Sequence, residues 1–123
     1  MPTEKDDETP IFLKVKNKRD ELEKNERGGV KDDSGKLELS LLPWDSLEEI
    51  TKILMLGAKK YSADNWKRVE PVRYVDALYR HLSAFMRGEA LDPESGISHL
   101  AHAGCNLLFM ISLYGDSAFH RDE

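Results

Sequence analysis

Three separate segments of this chain share one apolar period, and that period leaves little room for any architecture but helices. Leu47, Ile50, Leu54 and Ala58 recur three and four residues apart, as do Val75, Leu78, Leu82 and Phe85. Leu100, Gly104, Leu107, Leu108 and Ile111 do the same further on. Such spacing lines one face of an α-helix. Pro43 and Asp45 suit a helix start, and Gly88 and Gly115 suit helix ends. The spacing predicts helices from Pro43 to about Tyr61, from about Val72 to Arg87 and from about Ile97 to Tyr114. "LDPESG" between the last two reads as a turn, and "SADNWKRVEP" between the first two as a longer polar loop with one large aromatic. No strand alternation competes over the last two-thirds, and no internal repeat is present. The fold class is therefore all-α, a small bundle of about three to four main helices.

The remaining properties narrow the class. A chain of 123 residues is one domain with a modest core, and an oligomer would help to bury its apolar faces. A formal charge of −5 argues against a nucleic-acid partner, which needs a basic face. The lone Cys105 lies in an apolar run, so no internal disulfide forms and a reducing, cytoplasmic setting is expected. "MPTEKDDE" is polar and acidic, unlike a secretion signal. "CNLLFMISLYG" is too short to span a bilayer, so no membrane association is expected. The expected organisation is a charged, partly disordered arm over 1–27, a helical domain over 28–115 and a polar tail over 116–123. Within the arm, Ile11, Phe12, Leu13, Val15 and Leu22 fit either a short strand or a helix.

"GGVKDDSGKLELSLLPWD", from Gly28 to Asp45, resembles a phosphate-binding loop but fails its test. Counting back from Gly35-Lys36, the first glycine of a P-loop falls on Val30, and the required hydroxyl falls on Leu37. What precedes it is charged rather than strand-like. A linker is the plain reading of such a Gly, Asp and Ser cluster.

Chemistry must come from what the apolar stripes leave over. Asp45, Glu48, Glu49 and Lys52 lie on the polar side of the first helix. Arg73, Asp76 and Arg80 form a charged stripe on the second, and His99, His102 and Asn106 a polar one on the third. Each has a bland alternative. Asp45 and Glu48 are spaced as a capping box, and the arginines suit ordinary surface pairs. His99 and His102 can share a metal geometrically, yet two histidines do not fill a coordination sphere, and lining a cleft suits them better. Paired carboxylates on neighbouring helices can hold magnesium against a polyphosphate, with lysines and arginines completing a phosphate clamp.

"LEEITK" followed by "RYVD" resembles the signature of the MazG-type all-α nucleoside triphosphate pyrophosphohydrolases. In that superfamily Glu-Glu-x-x-Glu on one helix and Glu-x-x-Asp on a later one bind catalytic magnesium. Glu48 and Glu49 match the first pair and Asp76 the last acid, while Lys52 and Arg73 stand where two glutamates belong. Asp45 lies one turn before Glu49 and is a candidate substitute.

A longer resemblance runs over about residues 28–115, through "GGVKDDSGKLELSLLPWDSLEEI", "GAKKYSADNWKR" and "RYVDALYRHLSAFMRGEALDPESGISHLAHAGCNLLF". These blocks are similar to phage-associated dATP/dGTP diphosphohydrolases, a branch that includes MazZ-type enzymes of phages carrying 2-aminoadenine. The resemblance implies an oligomer, a dimer or tetramer, that cleaves a deoxypurine triphosphate to monophosphate and pyrophosphate. For a MazZ-type member the substrate is expected to be dGTP, with dATP possible, and dGMP then feeds modified-purine synthesis or shapes the phage nucleotide pool. Glu48, Glu49 and Asp76, with Asp45, are then the expected ligands of Mg2+ or Mn2+, which activates the attacking water. Lys59, Lys60, Arg73 and Arg80 are candidates for the phosphates, with Lys31 and Lys36 on an arm closing over the nucleotide beside Asp33. Asn65 and Trp66 are candidates for the base, Trp66 serving equally well as a loop anchor. The alternative is a non-catalytic helical oligomer acting as a regulatory or inhibitor protein.

Overall fold

The computed structural model of the chain describes residues 8–12, 14 and 29–120. The chain divides into two compact units, 1–42 and 43–123. The larger unit holds three helices: α1 (Trp44–Lys60), α2 (Pro71–Met86) and α3 (His99–Tyr114). The described residues contain no named strand, only one isolated bridge between Leu91 and Ser98. The fold is all-α.

Local chemistry sets each helix boundary. Pro43 takes the N-cap position of α1 without a side-chain cap, and its carbonyl accepts the Leu47 N–H at 3.2 Å. Asp45 therefore sits inside the first turn, where a carboxylate favours the positive end of the helix dipole. The capping box that its spacing to Glu48 allows does not form, because the cap position belongs to Pro43. Pro71 opens α2, where its fixed φ suits the helix and its missing N–H has no partner to lose. Gly88 follows the end of α2 with φ +100°, a conformation that side chains disfavour. Ser98 caps α3, its hydroxyl accepting the Ala101 N–H at 2.9 Å.

α3 is the hub. It packs along α2, more lightly on α1, and touches a 3-10 turn at Asn65–Arg68, whereas α1 and α2 make no comparable contact with each other. All the buried residues among those described belong to α3: His99, Ala101, Ala103, Cys105 and Asn106. Of the predicted apolar stripe only Gly104 packs closely, and the leucines and Ile111 do not. His99 and Asn106 point inward, while Leu100, Leu107, Leu108 and Ile111 remain exposed. A helix held between two others needs a wide inner arc of small side chains, and Ala101, Ala103 and Cys105 supply it. Gly104 marks the closest approach: a Cβ there would lie 2.9 Å from Ile50 Cδ1.

Trp66 fastens the α1–α2 loop to this hub. Its ring stacks on Phe109 with centroids 4.8 Å apart, and the Tyr74 hydroxyl donates to the Trp66 carbonyl at 3.0 Å. No helix among the described residues is long and apolar enough to cross a membrane.

In the smaller unit, Asp33 to Lys36 form a turn closed by the Lys36 N–H on the Asp33 carbonyl at 3.0 Å, with Gly35 at φ +80°. A 3-10 turn at Leu39–Leu41 follows. Gly35 thus serves a tight turn, and no P-loop helix follows it. Most of the expected arm over 1–27, and the last three residues of the expected tail, lie outside the described residues.

Candidate functional site

The turn read from "LDPESG" does more than connect two helices. Asp92 Oδ1 accepts the N–H groups of Glu94 at 2.7 Å and Ser95 at 3.2 Å. The Gly96 N–H donates to the Asp92 carbonyl at 2.7 Å, and the Asp92 N–H to that of Ile97 at 2.9 Å. The His99 N–H reaches back to the Ala90 carbonyl at 2.9 Å. An aspartate bonding the backbone two and three residues ahead is the usual device for fixing such a turn. Here it leaves Oδ2 free and folds Glu89 and Asp92 back onto the helix ends.

Four side chains meet there. The Nδ1 atoms of His81 and His99 lie 2.8 Å apart, and His99 Nε2 lies 2.6 Å from Glu89 Oε1. Asp92 Oδ2 lies 3.8 Å from His81 Nδ1. The metal-capable atoms of His81, Asp92 and His99 all fall within 4.8 Å of one another, the one such group among the described residues. His102 stacks on His81, with centroids 4.5 Å apart and planes 6° from parallel, and its Nε2 lies 2.7 Å from Ser95 Oγ. Asn106 donates to the His102 carbonyl at 2.9 Å.

The electrostatics follow from burial. Loss of solvent pushes the His81 imidazole below its ordinary range, and the neighbouring His102 adds to the shift while Asp92 opposes it. Burial likewise lowers His102, again against the pull of Asp92. Burial by itself would raise the Asp92 carboxyl, but the Ser95 and Glu94 N–H groups, with His102 and His81, hold it below its ordinary value. Asp92 thus favours its ionised form beside His81 and His102 imidazoles that favour the neutral one.

A cleft of about 500 Å³ opens on this centre. Its walls carry His81, Asp92 and His102 and, from α1, Ile53, Lys59 and Lys60. Cationic amines, neutral imidazoles and a fixed carboxylate therefore share one concave space.

The residues expected from sequence are distributed unevenly around it. Lys59 and Lys60 line the cleft. Asp45 and Glu48 are exposed on α1, Asp76 is exposed on α2, and Glu49 is paired with Lys52 at 2.7 Å. Within one chain these four acids do not gather into a shared ligand set. They stand on two helices that each pack on α3, and Lys52 already offsets the charge of Glu49. Arg73 and Arg80 are exposed on α2. Asn65 is half-buried in the 3-10 turn, and one face of Trp66 is taken by Phe109. Lys31 and Lys36 are exposed in the smaller unit. His102 lines the cleft and His99 supports it from within.

Periodicity passes over His81, Glu89, Asp92 and Ser95. His81 stands beside the charged stripe of α2, and the other three lie in a stretch whose composition signals only a turn. The available signal was the concentration of acids and histidines: "RH" and "HLAH" flank "GEALDPESG".

Residues 26–121 match the sequence profile of a family described as dATP/dGTP diphosphohydrolase, N-terminal. The chain is also 36% identical over 85 residues to a Salmonella phage PMBT28 protein named dATP/dGTP diphosphohydrolase. That similarity covers 69% of this chain and 29% of the phage protein, so the chain spans under a third of that relative's length. No solved structure matches the chain.

Proposed function

The chain belongs to the dATP/dGTP diphosphohydrolase N-terminal family, and we propose that it hydrolyses a deoxypurine nucleoside triphosphate to the monophosphate and pyrophosphate. dGTP is favoured over dATP, following the MazZ-type resemblance, and dGMP then feeds modified-purine synthesis or shapes a phage nucleotide pool in the host cytoplasm. One observation carries the reading: Lys59 and Lys60 share a single cleft with His81, Asp92 and His102. Ammonium groups suit phosphate oxygens, and neutral imidazoles suit a proton from water.

In this reading, water oxygen bonds to the α-phosphorus and the bond from that phosphorus to the α–β bridging oxygen breaks. Pyrophosphate leaves with the bonding pair. The water proton passes to an imidazole that burial keeps neutral, His102. Lys59 and Lys60 offset the charge that develops on the departing pyrophosphate. Magnesium or manganese, when bound, would balance the charge of the triphosphate and make the attacking water more acidic. Asp45, Glu48, Glu49 and Asp76 are the candidate ligands of that ion, although within one chain they do not form a compact group of three. Arg73, Arg80, Lys31 and Lys36 are further phosphate candidates, and Asn65 and the free part of Trp66 are the candidates for the base. A second copy of the chain covers the apolar side of α3, where Leu107 and Ile111 stand exposed.

The test is product analysis. The protein is incubated with each deoxynucleoside and ribonucleoside triphosphate in the presence of magnesium or manganese, and the products are resolved. dGMP with pyrophosphate is the expected outcome. Inorganic triphosphate, or phosphates released singly, rules the reaction out. Absence of turnover with every nucleotide favours the regulatory oligomer.

A further inference from the structure

We propose that His81, His99 and Asp92 form a binding site for a divalent transition-metal ion of the zinc class, at the wall of the cleft and distinct from the carboxylates of α1 and α2. The donors are two imidazole nitrogens and one carboxylate oxygen. Hard ions such as magnesium and calcium prefer all-oxygen sets, whereas imidazole suits zinc, cobalt and iron.

The three donor atoms lie up to 4.8 Å apart, so the widest pair closes by about 1 Å to share an ion bound at about 2.1 Å. Nδ1 of His81 and Nδ1 of His99 stand 2.8 Å apart, and Asp92 Oδ2 stands 3.8 Å from the former. An ion about 2.1 Å from each nitrogen needs them roughly 3.0–3.4 Å apart, so the pair opens by about half an ångström or less. Three protein ligands leave a fourth position for water or substrate, the arrangement of catalytic rather than structural zinc. His81 and Asp92 line the cleft, which gives the ion its entry path.

The surroundings are built as a metal site requires. His99 is buried, and its far nitrogen, Nε2, meets Glu89 Oε1 at 2.6 Å. A carboxylate there accepts the Nε2 proton, which leaves the Nδ1 lone pair aimed at His81. This carboxylate–histidine arrangement fixes the tautomer and the ring of a metal-bound histidine. Asp92 is held by two backbone N–H groups through Oδ1, so Oδ2 is positioned and available. The stacked ring of His102 keeps the plane of His81.

Ion binding does not depend on what the protein hydrolyses. Contact between the bound ion and a phosphate oxygen, beside Lys59 and Lys60, rests on the function proposed above.

The experiment uses the full chain, free of affinity tags and stripped by a chelator. Cobalt(II) is titrated in and followed by its visible absorption, then displaced by zinc. The expected result is one equivalent per chain. His99→Ala and Asp92→Asn lose it, and circular dichroism establishes whether each is folded. Glu89→Gln changes one exposed group and keeps the fold, and it weakens binding about 10- to 100-fold. The double variant Glu48→Gln/Glu49→Gln binds as the parent does. The proposal is overturned if the parent shows no saturable binding, or if folded Asp92→Asn retains it. It is equally overturned if Glu89→Gln binds with parental affinity, or if the Glu48→Gln/Glu49→Gln protein loses the equivalent. Cobalt binding without nucleotide hydrolysis leaves this site standing and removes only the proposed reaction.

Discussion

His81 and His99 face each other through their Nδ1 atoms at 2.8 Å, tying the middle of α2 to the first residue of α3. The contact is extended on one side by Glu89 and on the other by Asp92. It is the point at which the α2–α3 loop, the hub helix and the cleft wall become one structure. Truncating it should be felt in stability even where no ion is bound. His99→Ala removes the partner of the part-buried His81, and leaving such a group unpaired costs about 1–3 kcal/mol, whereas the exposed Glu89 turns to water. Urea denaturation of the chelated protein measures this, and a midpoint equal to that of the parent would contradict it.

Gly104 tests how tightly α3 lies on α1. An added Cβ meets the flexible end of Ile50 at 2.9 Å. Alanine in a helix interior gains about 1 kcal/mol over glycine, and that gain opposes the crowding. Gly104→Ala is therefore expected within about 1 kcal/mol of the parent, whereas Gly104→Leu overpacks the contact and loses about 1–3 kcal/mol. Equal denaturation midpoints for the parent and Gly104→Leu would show that the two helices are not in close contact.

Cys105 is buried in the same face, and burial pushes its thiol from an ordinary 9.0 up to about 11. The folded thiol holds its proton after the unfolded one has lost it. Its contribution to stability is intact below about pH 9 and is lost as the pH climbs towards 11. At pH 8 the native protein should react with a thiol reagent at least about ten times more slowly than the urea-unfolded chain, since the thiolate is the reactive form. Comparable rates for the two states would show an accessible thiol.

Lys59 and Lys60 are the cationic groups of the cleft. Replacing both with methionine preserves their apolar stems and removes the charge. A loss of about 10- to 100-fold in kcat/KM for the triphosphate is expected, equivalent to about 1.4–2.8 kcal/mol of transition-state stabilisation. A rise in KM at unchanged kcat indicates ground-state binding, and a fall in kcat equal to that in kcat/KM indicates charge stabilised only in the transition state. Unchanged kinetics in this variant would remove the lysines from the site.

The site is unevenly written into the chain. Lys59 and Lys60 close a strongly periodic helix, so their place at the end of α1 follows from local spacing. Glu48, Glu49 and Asp76 are equally easy to place on helices. Whether their carboxylates share an ion depends on what lies between those helices, and α3 lies there. Trp66 divides the same way. Its loop is evident from composition, but its use as an anchor needs Phe109, 43 positions along the chain.

By itself the sequence determines three helices and the polar turns between them, because the helical period and the Pro, Ser and Gly boundary signals act within a few residues. Which face of α3 turns inward is not a local matter. Its leucines form the more apolar stripe, yet the space between two helices admits the side with Ala101, Ala103 and Cys105 and draws in His99 and Asn106. The convergence of His81, Asp92 and His99 is likewise a product of packing. They are separated in the chain by a turn that only a closed network of backbone hydrogen bonds holds against the helix ends. Period is a property of neighbours along the chain, whereas a binding centre depends on distances that exist only once the helices have docked.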